Sequence, residues 1–368
     1  MGRNTPSSSA TWRRCVAILT TVRCGTIAIT VQGAQTVHVI NKEYTQQQCY
    51  VEALRCDATQ CEVWFHLGVI TPSGQISVNG KLYSEQQCYM QALDADPNYS
   101  YAWNHIGATL TNGQSAVVQN QGYSQLQCFV RALQCDPQNV DAWSNLGFTL
   151  KGQRPITLSG KERTAQGCFI EALQRDPDVG AVWYNLGTTV ADGQVVTVNG
   201  KEYTKKQCFV QAVTKDPCEG TAWLALGVEL EAGESATVNG EDFGPQQCFV
   251  ETLRCGCHLS RAWYKLALTL QVGELFTVAG KDYTERQCYV KALQYDLSNR
   301  EAWENMGLSM APREVCLVEA SVGRIALRLD DDRVLRRVPD GLESVEGDPR
   351  GDSRRLLCTQ HWLVWAFP

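Results

Sequence analysis

Between residues 183 and 222 the apolar positions change their period, and the same change recurs along most of the chain. Trp183, Leu186, Gly187 and Val190 have the 3, 4 and 7 spacing of one helical face, and Gly193 follows where a left-handed cap would end it. This predicts a helix, A. From Val196 to Tyr203 the pattern alternates about Asn199-Gly200, a dipeptide that tolerates the positive φ of a two-residue hairpin turn. Such a turn pairs Val198 with Lys201 and Val196 with Tyr203. Residues 76–84, 236–244 and 276–284 repeat the pattern, and the versions around Gln119 and Ser159 are weaker. A second helix, B, starts at Thr204-Lys205-Lys206-Gln207, where hydroxyl and amide can satisfy each other's backbone N–H as a capping box. The box recurs from Thr45 to Gln48, Ser84 to Gln87, Ser124 to Gln127 and Thr284 to Gln287. Gly244-Pro245 substitutes a first-turn proline, and Thr164 lacks a partner because Gly167 follows. Tyr203 and Cys208 occupy the two positions of a hydrophobic staple, which gives the cysteine a packing role. Asp216-Pro217 stops helix B.

The unit is periodic. Trp64, Trp103, Trp143, Trp183, Trp223, Trp263 and Trp303 are spaced by 39 and then five times by 40, and Cys49, Cys88, Cys128, Cys168, Cys208, Cys248 and Cys288 keep the same step. Self-similarity at such a period means stacked repeats. Trp143, Leu146 and Gly147 on helix A, then Phe169, Ala172 and Pro177 on and after helix B, make the chain resemble the tetratricopeptide repeat. Ala165 supplies that family's small residue at the start of helix B. The family unit is about 34 residues; here the surplus falls between Gly147 and Ala165, where the hairpin lies. The resemblance covers residues 24–310. It implies a mainly α fold, an α-solenoid of about seven tetratricopeptide-like helix pairs, each with a short β-hairpin insertion. Cys24, Ile27 and Ala28 replace the Trp, Leu and Gly of the first unit, a degenerate terminal repeat.

Composition narrows the function classes. With 33 Lys and Arg against 39 Asp and Glu there is no long basic run to track phosphates, so no nucleic-acid partner is expected. No stretch reaches the roughly 18 consecutive apolar residues of a spanning helix, so no membrane partner is expected either. The 17 cysteines exceed what the repeat uses, but a chain of 368 residues has no need of a disulfide scaffold, and the periodic set is expected reduced in a cytoplasmic protein. Residues 1–23 form a basic lead-in, disordered or capping; the first 42 residues lack Asp and Glu, a composition shared with transit peptides. Residues 311–368 are a non-repeat tail with nine Arg and no Lys, read as poorly ordered and given no function.

No phosphate loop, HExxH, nucleophile elbow or kinase set occurs. The five histidines, His38, His66, His105, His258 and His361, share no catalytic spacing with a cysteine. Cys255-Gly256-Cys257-His258 has no second cluster to complete a metal site and is read as a variable loop. No enzyme and no cofactor are expected. The expected function is a scaffold or adaptor for a protein or peptide ligand; the alternatives are a non-catalytic subunit of an enzyme complex and a cysteine-based redox or metal-responsive repeat protein. Two residues after each tryptophan stand His66, His105, Asn145, Asn185, Ala225, Lys265 and Asn305. The family resemblance implies that helix A lines a concave groove in which an asparagine here bonds the backbone of an extended peptide, with Val69, Phe148 and Thr188 beside it. An amide offers the donor and the acceptor that a peptide backbone needs.

Overall fold

The computed structural model describes residues 36–39, 42–72, 74–111, 113–257, 259–271, 273–309, 315–320, 323–330, 333–337, 357–359 and 362–365, with side chains between 43 and 309. The lead-in 1–23, the degenerate helix A of the first unit, His258 and His361 lie outside these residues.

The chain divides into two units, Met1–Pro177 and Asp178–Pro368. The first opens on a hairpin, β1 (Thr36–Val39) and β2 (Lys42–Thr45), and a helix B, α1 (Gln46–Cys56). Its first full repeat is α2 (Cys61–Val69), β3 (Gln75–Val78), β4 (Lys81–Ser84) and α3 (Glu85–Ala95). The second is α4 (Ser100–Thr109), β5 (Ser115–Val118), β6 (Gln121–Ser124) and α5 (Gln125–Cys135). The third is α6 (Val140–Thr149), β7 (Ile156–Leu158), β8 (Lys161–Arg163) and α7 (Ala165–Arg175).

The second unit holds three more. They are α8 (Gly180–Gly187), β9 (Val195–Val198), β10 (Lys201–Thr204) and α9 (Lys205–Lys215); then α10 (Gly220–Glu229), β11 (Ala236–Val238), β12 (Glu241–Phe243) and α11 (Pro245–Arg254). The last is α12 (Leu259–Leu268), β13 (Leu275–Val278), β14 (Lys281–Thr284) and α13 (Glu285–Tyr295), followed by a lone helix A, α14 (Arg300–Leu308). The fold is mainly α. Beyond the repeats, β15 (Val315–Ala320), β16 (Gly323–Asp330), β17 (Arg333–Arg337), β18 (Leu357–Thr359) and β19 (Trp362–Trp365) form an antiparallel sheet in the order β15-β16-β17-β19-β18.

Local chemistry follows the sequence closely. Val198 pairs with Lys201 and Val196 with Tyr203. The weaker hairpins close as well, because Gln119 and Asn120, and Ser159 with Gly160, adopt the same positive φ as Asn199 and Gly200. The capping boxes form at Thr45, Ser84, Ser124, Thr204 and Thr284. At Thr164 only the hydroxyl half remains, accepting from Gly167 N at 3.0 Å.

The core of each repeat lies between its two helices. Gly187 of α8 lies against the ring of Phe209: a Cβ there would stand 2.7 Å from Phe209 Cε1 and 3.2 Å from Cys208 Cβ. That close approach explains the glycine four residues after the tryptophan. The tryptophan itself holds three segments together. Its indole N–H donates to the turn between helix B and the next helix A, Trp103 Nε1 to Pro97 O, Trp143 to Pro137 O and Trp223 to Pro217 O, each at 2.9 Å. Its ring meets the hairpin aromatic of its own repeat, Trp103 on Tyr123 and Trp183 on Tyr203 at 4.7 Å between centroids, Trp263 on Tyr283 at 4.8 Å. At Trp143 two guanidiniums, Arg163 and Arg175, take that place at 5.1 Å.

Cys88, Cys128, Cys168, Cys208, Cys248 and Cys288 are fully buried, while Cys49 is half-buried. Burial pushes the thiols of Cys128, Cys168 and Cys208 up to about 12. A thiol reagent is expected to modify exposed Cys56 and Cys218 in the native chain and the six buried cysteines only in denaturant. Equal reaction rates before and after unfolding would contradict the packing role. A second expectation concerns Ala279, which holds φ 52 where other hairpins place Asn79, Asn199 and Asn239. Ala279→Asn should stabilise the chain by about 0.5–1 kcal/mol in denaturant melts, because asparagine tolerates the left-handed region better than alanine.

Candidate functional site: the outer face of the A helices

The tryptophan and the two positions three and four beyond it turn into the core. Positions one, two and five beyond it therefore share the opposite side of helix A. In the first unit these are Phe65, His66 and Val69 on α2, Asn104, His105 and Ala108 on α4, and Ser144, Asn145 and Phe148 on α6. In the second they are Tyr184, Asn185 and Thr188 on α8, Leu224, Ala225 and Val228 on α10, Tyr264, Lys265 and Leu268 on α12, and Glu304, Asn305 and Leu308 on α14.

The predicted polar residues reach toward the preceding helix A. His105 stands edge-on to Phe65 with centroids 4.8 Å apart and an interplanar angle of 87°, and its Nδ1 lies 3.0 Å from Tyr101 O. Asn145 Nδ2 donates to Asn104 Oδ1 at 2.9 Å, and Asn104 is buried. Asn305 Nδ2 lies 3.3 Å from the Tyr264 hydroxyl and 2.9 Å from Glu301 O. His66, at the start of the described series, stacks on Tyr50 of α1 at 5.9 Å and 11°. Burial holds its imidazole below the usual histidine range, opposed by Glu62. Asn185 uses its backbone carbonyl to accept from the Thr188 hydroxyl at 2.7 Å. Lys265 sits 5.5 Å above the ring of Tyr264 and borders a cavity of about 1050 Å³ with Arg261, Glu301 and Glu304.

The residue two beyond one tryptophan thus meets the residue one beyond the preceding tryptophan. Those partners, Phe65, Asn104 and Tyr264, were missed in the sequence. They become visible when the columns are compared one repeat and one residue apart, because Phe65 with His105, Asn104 with Asn145 and Tyr264 with Asn305 are chemically matched. The fifth position is different. Val69, Phe148, Val228, Leu268 and Leu308 are exposed, Phe148 at 64% and Leu308 at 81%. They give each unit a spaced row of apolar side chains facing water. Among the described residues no group of three or more His, Cys, Asp or Glu is placed to hold a metal ion, and no described helix is long and apolar enough to cross a membrane.

Helix pairs that share an aromatic–glycine contact and a tryptophan-held turn define a helical repeat protein. A model of the tetratricopeptide repeat family matches residues 128–167, one full period from helix B through the next hairpin, and the same helix–hairpin–helix unit recurs through the described repeats. Among solved structures, the crystal structure of yeast Tom70 is similar at a TM-score of 0.36 and 11% identity, over 81% of this chain. The chain spans 64% of that one. No curated protein sequence matches the chain.

The Asn145 bond predicts a structural cost. Asn145→Ala leaves the buried amide oxygen of Asn104 without this donor and should destabilise the chain by about 1–3 kcal/mol in chemical denaturation. An unchanged midpoint would remove the contact between A helices as a source of stability.

Proposed function

We propose that the chain is a non-catalytic scaffold, and that an extended segment of a partner protein lies along the outer face of the A helices within a unit. The observation that carries this reading is the exposed apolar row, Val69 and Phe148 in one unit and Val228, Leu268 and Leu308 in the other. Spaced apolar side chains of this size favour association, because covering one of them contributes about 1.5–3 kcal/mol. The polar row beside it, His66, His105, Asn145, Asn185, Lys265 and Asn305, then orients the backbone. Asn145 spends one N–H on Asn104 and keeps its carbonyl oxygen and second N–H for a ligand. Six periodic cysteines serve as packed core residues, a use that suits a reducing, cytoplasmic setting.

Affinity capture with the full chain, read by mass spectrometry, supplies the partner. A Val69→Ser/Phe148→Ser chain should then bind that partner more weakly by about 2 kcal/mol or more, with little change in thermal unfolding because both side chains are exposed. Equal affinity of the two chains would overturn the assignment to this face.

A further inference from the structure

The hairpins have an outer face of their own. In four of them the cross-strand pair nearest the turn on that face joins a threonine to an acid: Thr157 with Glu162, Thr197 with Glu202, Thr237 with Asp242 and Thr277 with Asp282. Thr237 Oγ1 donates to Asp242 Oδ1 at 2.6 Å and Thr277 repeats the bond to Asp282. In the first hairpin the pair is His38 with Glu43. A carboxylate there guards a two-stranded ribbon, whose open edges would otherwise pair with any extended chain. The two adjacent hairpins of the first unit depart from this. Their pairs are Ser77 with Leu82 and Val117 with Gly122, so no carboxylate remains. Leu82 is 57% and Val117 59% exposed, and nothing lies within 4 Å of where a Gly122 Cβ would stand.

These two unguarded hairpins are the walls of a trench. Gln75 and Ser84 of one and Ser115 of the other line a cavity of about 960 Å³, with Glu85 at the start of α3. Lys81 and Tyr83 of one and Val117 and Val118 of the other line a second of about 440 Å³, with Met90 and Asp94 of α3. The two-residue turn makes Val118 and Gln121 the pair that exchanges both ribbon hydrogen bonds. Alternation then turns the N–H and C=O of Val117 and Ser115 outward, along the edge that faces the trench. On the opposite wall Ser84 N already donates to Gln87 Oε1 at 2.8 Å, which leaves Leu82 alone.

We infer that this trench binds an extended strand of a partner protein, which pairs with the open edge of β5. Its side chains alternate. Those on the outer side cover Leu82 and Val117 and are apolar, and those on the inner side carry no carboxylate, because Glu85 and Asp94 line the two cavities. Proline is excluded because the edge requires backbone donors. The pairing length is that of β5, four residues.

The test uses the full chain and a Leu82→Glu/Gly122→Glu chain, which gives these ribbons the acid that Glu162 and Glu202 already supply elsewhere. A displayed random hexapeptide library selected on the unaltered chain should yield proline-free sequences with alternating apolar residues, and selection on the variant should not. A fluorescein-labelled peptide from the selection should bind at least tenfold more weakly to the variant. Methylating its central amide nitrogen should weaken binding to the unaltered chain by a similar factor, a readout that stands even if the variant misfolds. Amide exchange at Ser115 and Val117 should slow in the complex. The Val69→Ser/Phe148→Ser chain should bind the peptide unchanged, which separates this surface from the A-helix face. Absence of alternating sequences in the selection, or binding that survives amide methylation, would overturn the inference.

Discussion

Each repeat depends on what its tryptophan indole touches. The N–H holds the carbonyl of the turn that precedes helix A, and the ring takes the hairpin aromatic that follows it. One side chain therefore fixes both the entry angle of helix A and the seat of the hairpin. The hydrogen bond contributes about 1 kcal/mol and the buried ring several times that, so the clamp is mainly apolar with one directional contact. A hairpin of eight or so residues would be marginal alone in water. Seated on the indole, it acquires a buried inner face: Val196 and Val198 are 6% and 2% exposed. At Trp143 the clamp keeps its geometry with different chemistry, since Arg163 stands where the other repeats place Tyr or Phe, and Arg175 joins it.

The repeat made much of this legible. A pattern written seven times averages out the noise of single residues, and the helix starts, the hairpin register and the burial of six of the seven periodic cysteines were in it, Cys49 being half-buried. What escaped was the pairing between repeats. Tyr203 reads as one half of a staple with Cys208, whereas its ring lies on Trp183, twenty residues back, a distance that a local rule cannot span. The polar row stands two residues after each tryptophan, on the side of helix A turned away from it. Its contacts with Phe65, Asn104 and Tyr264 were not anticipated, because each column was read down the repeats and the contact runs diagonally from one repeat to the next. The strands after residue 314 had no copies to be compared with, and alternation over four to eight residues in an arginine-rich segment is a weak signal alone.

The diagonal contact changes how the polar row can act. An asparagine already held by its neighbour is pre-oriented, so a ligand that bonds its remaining groups loses less rotamer entropy than it would against a free side chain. Ala225 interrupts this row in the second unit and Lys265 replaces the amide by a cation, so the two units present different chemistry on matching scaffolds.

The hairpin and the A helix also divide the work of stability and recognition differently. In helix A the outer face and the core face share one rigid cylinder, and a change at Asn145 reaches the fold through Asn104. In the hairpin the alternation of the strand separates them: Ala116 and Val118 face the core while Val117 faces water. The outer residues of a ribbon can therefore differ between repeats without disturbing the tryptophan clamp. The cost of that freedom is an open strand edge, which an acid closes in five ribbons. Where Leu82 and Gly122 replace the acid on adjacent ribbons, the inner face is unchanged, with Val78 and Val118 still buried. Stability gives no reason for the replacement, which leaves recognition by a paired strand as the physical use of an edge left open.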